Sequence, residues 1–264
     1  MFSLKEWQRE HLRRQPFPAE WVPVLERNVA HYRFLSPQEQ QALQGHVQVF
    51  LHEKPFEGCG GLEITDEIRV TIAAEACLLL LGGASDGFPH CNRVLVYPSA
   101  FVSTVTQVLP GGVLAKGEVA RLGESWGFGN VVLSWDDALR GARALAGAHS
   151  VVLHEFAHQI DEENGAADGV PRLRGSRGVY ATWARVMRQA FEQLSQEKAH
   201  ISFSKEVLDT YGATHPAEFF AVASEAFFER PQALLAQHPE VYAQLKGFYR
   251  LDPLAWQQPQ RSAG

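Results

Sequence analysis

Cysteine is scarce. Among 264 residues only Cys59, Cys77 and Cys91 occur, an odd number with no CxxC spacing. That argues against a disulfide framework and a zinc-knuckle framework, and leaves reduced thiols that pack as small hydrophobes. Long hydrophobic runs are missing too: the longest, residues 76–81, falls far short of the ~20 apolar residues a membrane span needs. Residues 1–18 hold no apolar h-region, so no secretory leader is expected. Together these features predict a reducing cytoplasm and no membrane partner. Charge of one sign is not in excess either. Lysine plus arginine number 24 against 30 aspartates plus glutamates, a formal charge of −6. Mild acidity argues against a surface that coats nucleic acid, and leaves room for a protein partner. No GxGxxG, Walker loop or Ser-His-Asp pattern is present.

What is present is an ordinary globular composition, 45% hydrophobic and 20% charged, with 11 histidines. Residues 1–50 alternate helical patterns with proline breaks. Ser36, Pro37 and Glu39 read as an N-cap, a first helical position and a capping-box partner, with Leu43, Val47 and Leu51 inward. Residues 65–68 open a second helix, apolar nearly all round, running to Gly82 and Gly83. Residues 93–97 and 130–135 read as strands, and the glycine-rich residues 110–130 as loop and turn. Residues 142–160 look helical with a break near Gly147, and residues 179–198 helical again. A last helix follows Pro216 and stops at Pro231. Asp136 and Asp137 read as a helix N-cap, and the Arg9–Arg14 cluster as a solvated face. Residues 257–264 read as a mobile tail.

The chemistry concentrates in His154-Glu155-x-x-His158. On a helix, positions i and i+4 share one face, so two imidazoles can grip one ion. Glu155 stands beside the first ligand and faces the ion's water. Chance, from 11 His and independent residues, predicts only ~0.04 such matches in the chain. The apolar neighbours of the motif make the helix a rigid platform. A third ligand must come from elsewhere. The extension HExxHxxGxxH is absent, since Asp161 and Asn164 stand where it needs its glycine and its third histidine. Glu218 and Glu225 lie seven apart on one face of an apolar helix, where a buried carboxylate needs a cation to justify it; His200, His215 and Asp209 are further candidates. Peptide hydrolysis also needs an oxyanion donor, and Tyr211, seven residues before Glu218, is a candidate. Asp161 could orient a ligand imidazole. Residues 130–135 are the candidate edge for holding an extended peptide.

The chain resembles the Mlc titration factor A family of bacterial zinc metallopeptidases. The resemblance runs through residues 13–18 (RRQPFP), 56–63 (FEGCGGLE), 70–74 (VTIAA), 154–161 (HEFAHQID) and 211–221 (YGATHPAEFFA). It implies a zinc site similar to that of anthrax lethal factor. The metal ligands would be His154, His158 and Glu218, with one Zn2+ per chain. Glu155 would be the general base and Tyr211 the oxyanion and proton donor. It also implies an α+β fold, with a mostly helical zincin-like core, a small sheet and the HExxH helix. Residues 1–60 would form an N-terminal helical portion and residues 61–264 the core, in one compact unit. Aminopeptidase-like activity on short peptide substrates is implied, as is binding to a glucose-responsive repressor of the Mlc type, which would touch glucose phosphotransferase regulation. The alternative is a non-catalytic regulator that sequesters a transcription factor around a structural zinc site.

Overall fold

The computed structural model describes residues 4–109, 113–121, 123–126, 129–144, 149–199 and 206–256; for 101–109, 113–121, 123–126 and 197–199 it describes the backbone alone. The chain opens with α1 (Leu4–Arg13) and α2 (Val22–Asn28), followed by a 3-10 turn over Ala30–Phe34. Helix α3 (Pro37–Glu53) starts as its sequence predicts. The Ser36 N–H donates to Glu39 Oε2 at 2.8 Å, and Ser36 Oγ accepts from the Glu39 N–H, so two orphan donors are satisfied reciprocally. Arg9 of α1 departs from the solvated-face reading: its guanidinium forks onto both carboxylate oxygens of Glu53 at 2.5 and 2.6 Å.

Strand β1 (Phe56–Gly58) leads to α4 (Asp66–Leu78), capped by Thr65. This helix is buried on nearly every side, but it ends at Leu78 and gives way to turns before Gly82. Strand β2 (Arg93–Tyr97) follows. Then come β3 (Phe101–Leu109), β4 (Val113–Arg121), β5 (Gly123–Trp126) and β6 (Asn130–Ser134). The loop expected over 110–130 is therefore largely strand. β3 and β4 form an antiparallel pair from Phe101↔Arg121 to Leu109↔Val113, and a partner strand satisfies the backbone whatever the glycine content. Residues 110–112, 122, 127 and 128 lie outside the described residues.

A four-stranded sheet runs β1-β2-β6-β5. Its first three strands are parallel and β5 is antiparallel. Strand β6 is thus paired on both sides. The peptide-holding edge expected over 130–135 is an interior strand, ending at Ser134 because Trp135 begins α5 (Trp135–Arg143). The cap of α5 is Ser134, not an aspartate; Asp137 is the residue whose N–H the Ser134 side chain accepts.

Helix α6 (Val151–Asp161) is separate from α5, and Gly147 of the expected break lies outside the described residues. Next are α7 (Arg177–Ala199), a 3-10 turn over Thr210–Ala213, and α8 (Pro216–Glu229). Pro231 ends α8 and also opens α9 (Pro231–Gln237), as proline suits a first turn. The chain closes with α10 (Pro239–Tyr249) and α11 (Pro253–Trp256); the tail 257–264 lies outside the described residues.

The fold is α+β and mostly helical with a small sheet. One apolar cluster, from Val24 to Trp256, joins helices and sheet. Its aromatic centre sets the pose of α6: Phe156 meets Phe88 at 4.8 Å and Phe50 at 5.5 Å between ring centroids. Helix α8 buries Phe219, Phe220, Phe227 and Phe228, and packs against α6. Two closely packed helices therefore hold the predicted ligands at fixed separation.

Candidate metal centre

Helix α6 begins at Ser150, whose Oγ accepts from the Leu153 N–H at 3.2 Å. One turn in, His154 and His158 point from the same face, their rings 4.9 Å apart between centroids. Helix α8 begins at His215, whose Nδ1 accepts from the Ala217 N–H, with Pro216 at its first position. That start places Glu218 opposite α6. The three side chains converge. His154 Nε2, His158 Nε2 and Glu218 Oε2 form a triangle with every side 3.2 Å. They are the one such group of three among the described residues.

The triangle fits a tetrahedral zinc. Donors ~2.05 Å from the ion at tetrahedral angles stand ~3.3 Å apart. Two neutral imidazoles and one carboxylate are also the donor chemistry zinc takes. The electrostatics agree. Burial alone would lower the His154 pKa, yet contacts with Glu218 and Glu225, beside Glu155, raise it to about 10. Burial would raise the Glu218 pKa, but hydrogen bonds to both histidines hold it well below the carboxylate range. The pocket therefore favours a positive charge at its centre.

The remaining candidates divide clearly. Glu155 is 5% exposed, on the turn that carries His154. Tyr211 sits in the 3-10 turn before α8, 49% exposed, with its ring 6.2 Å from that of His154. Asp209 fixes that turn by accepting from the Tyr211 N–H at 2.7 Å, and its other oxygen lies 3.3 Å from His149 Nε2. Asp209 and His215 thus serve a turn and a cap rather than joining the triangle, and His200 lies outside the described residues. Asp161 is fully buried and accepts from the Gly169 N–H at 2.8 Å. It pins the loop after α6. Gly169 has φ +77°, and a Cβ there would stand 2.4 Å from Pro216 O, so only glycine lets the loop lie against the start of α8.

Glu225 has a different place from Glu218. It is 7% exposed and lies behind the histidines. Its Oε2 stands 3.7 Å from His154 Nδ1, and its Oε1 accepts from the Ser150 N–H at 3.0 Å and faces His149 Nδ1 at 3.0 Å. Burial would raise its pKa, but the two histidines lower it. A carboxylate behind a ligand imidazole fixes the tautomer and raises ligand basicity. The seven-residue spacing placed both glutamates on one face without saying which reached the front.

Deeper still, Ser150 Oγ donates to Glu75 Oε2 at 3.0 Å, and Glu75 lies near His31 and, beyond it, Glu229. Burial pushes both carboxyl pKa values up, so this cluster favours the protonated acids. The sequence hint was a glutamate set among the apolar residues Ile72, Ala73, Ala74, Ala76 and Cys77 of α4.

A helical α+β chain whose paired helices aim two histidines of HExxH and a distant glutamate at one point has the form of a metallopeptidase. Comparison with known proteins agrees. Residues 4–250 match the family described as glucose-regulated metallo-peptidase M90, and the chain belongs to that family. An uncharacterized protein of Synechocystis sp. is 39% identical over 94% of this chain and 90% of its own. Mlc titration factor A of Yersinia enterocolitica is 34% identical over 90% of this chain and 87% of its own. The protein of the same name from Yersinia pestis is 34% identical over 90% and 86%. Among the described residues no helix is long and apolar enough to cross a membrane.

Proposed function

We propose that this protein is a zinc-dependent, aminopeptidase-like peptidase with one Zn2+ per chain, held by His154, His158 and Glu218. The observation that carries the reading is the 3.2 Å triangle of donors on two packed helices. When bound, zinc would polarise the scissile carbonyl and acidify a water. Glu155 takes the water's proton and passes it to the leaving amine. The Tyr211 hydroxyl donates to the developing oxyanion, a role supported by its exposed place beside His154. Glu225 holds His154 in the tautomer whose Nε2 is a donor to metal. Strand β5 is a sheet edge and packs against α6, so an extended peptide would add to β5.

The portions 1–60 and 61–264 work as one compact unit in this reading, supported by the single core that spans them. The protein acts in the cytoplasm on short peptides, without direct nucleic-acid contact. A repressor of the Mlc type is the proposed protein partner, favoured by the printed name of the Yersinia relatives. The test is turnover of an alanyl chromogenic substrate together with metal analysis. Chelation should abolish turnover and one equivalent of zinc should restore it. Turnover indifferent to chelation would overturn the reading. A repressor pull-down with His154→Ala then separates the roles: partner binding kept with turnover lost supports both activities on separate surfaces.

A further inference from the structure

A cleft of about 650 Å3 opens between the 172–176 segment, α7 and α10. It contains none of the metal-centre residues, and its size is that of a small-molecule site, roughly 300–1,000 Å3. Three arginines line it, Arg172, Arg174 and Arg250, and no carboxylate does.

None of the three forms an ion pair with a carboxylate among the described residues. Arg172 has no hydrogen-bond or ion-pair partner among the described residues, although the charge of Glu163 reaches it. Arg174 Nη2 donates to the Gly83 carbonyl at 2.9 Å, and Arg250 Nε to the Gly82 carbonyl at 2.7 Å. Peptide carbonyls orient a guanidinium but leave its charge intact, with donors to spare. The two side chains also converge: a Cβ built on Gly83 would lie 2.7 Å from Arg250 Nη2 and 4.0 Å from Arg174 Nη2. Like charges brought together this way repel unless an anion joins them.

The backbone is shaped for this arrangement. A Cβ on Gly82 would stand 1.7 Å from Tyr249 O, so glycine is required for its carbonyl to reach Arg250. Arg250 itself, with φ 54°, is the left-handed cap that ends α10 and so stands beside Gly82. Beside the cations, Val179 and Phe248 give the cleft an apolar wall, backed by the buried Trp183.

We propose that this cleft binds a small organic phosphate: a phosphate monoester held by the guanidiniums, with its apolar group against Val179 and Phe248. Forked donors suit the phosphate oxygens, and the wall suits the group that bears them. The cleft also adjoins the loop that Asp161 pins against α8, since Trp183 Nε1 donates to the Gly169 carbonyl at 3.1 Å.

Calorimetry on the full-length, zinc-loaded chain tests the proposal, with phenyl phosphate and inorganic phosphate as the two probes. We expect one phenyl phosphate per chain, bound more tightly than inorganic phosphate. The double variant Arg172→Gln, Arg174→Gln changes only exposed side chains, so it should keep peptidase turnover while losing at least ~10-fold in phenyl phosphate affinity. No saturable binding would overturn the proposal. So would binding that the double variant leaves unchanged, because it would then belong to the metal. Equal affinity for the two probes would overturn it too.

Discussion

Replacing Glu225 by glutamine isolates what a buried carboxylate does for a metal ligand it never shares with the ion. The two side chains are nearly the same size. The glutamine carbonyl can still accept from the Ser150 N–H, now bound at 3.0 Å, so the start of α6 keeps its partner. What disappears is the negative charge 3.7 Å from His154 Nδ1. Losing such an outer partner costs ~10–100-fold in metal affinity, or about 1.4–2.8 kcal/mol. Glu225→Ala should add a folding cost of ~1–3 kcal/mol, because it also leaves the buried Ser150 N–H without an acceptor. Zinc affinity from competition with a chelator, measured beside urea unfolding, separates the two costs. A Glu225→Gln chain that holds zinc within twofold of the parent would refute the reasoning. It would then assign Glu225 to the fold alone.

Tyr211→Phe should lower kcat by ~10²–10³ with zinc content and KM little changed, as loss of an oxyanion donor does; steady-state kinetics with an unchanged kcat would remove Tyr211 from the mechanism. Asp161 offers a test by pH. Burial raises its pKa from 3.8 to about 6, against the lowering effect of the Gly169 N–H. Its protonated form is favoured in the fold, so this contribution is complete below pH 3.8 and fades as pH rises through about 6. Urea unfolding of Asp161→Asn at pH 4 and pH 7.5, under equal metal conditions, should show the variant gaining on the parent at the higher pH; a difference independent of pH contradicts the shift.

The parts of this molecule that short-range physics decides were readable in advance. The capping box at Ser36 and Glu39, the apolar α4, the HExxH helix and the proline start of α8 each depend on neighbours within a few residues. The histidine pair follows from helical period alone. What escaped was decided by distant partners. Strands β4 and β5, within residues 110–130, look like glycine-rich loop until the pairing of β4 with β3 and of β5 with β6 is known. Strand β6 looked like an edge because nothing local reveals that β2 and β5 flank it. Glu218 and Glu225 share a helix face, and only the angle between α6 and α8 puts one in front of His154 and the other behind it. Glu75 and Glu229 show the same limit: a buried acid within an apolar helix signals a purpose, but its partners Ser150 and His31 come from elsewhere in the chain.

Glu155→Gln bears most directly on the peptidase assignment. The substitution leaves His154, His158 and Glu218 in place, so metal analysis should still find about one zinc per chain. Turnover of the alanyl substrate should fall by at least ~10²-fold, the contribution of a positioned general base. A zinc-loaded Glu155→Gln protein with full turnover would contradict the account, and metal-free parent protein with full turnover would contradict it equally.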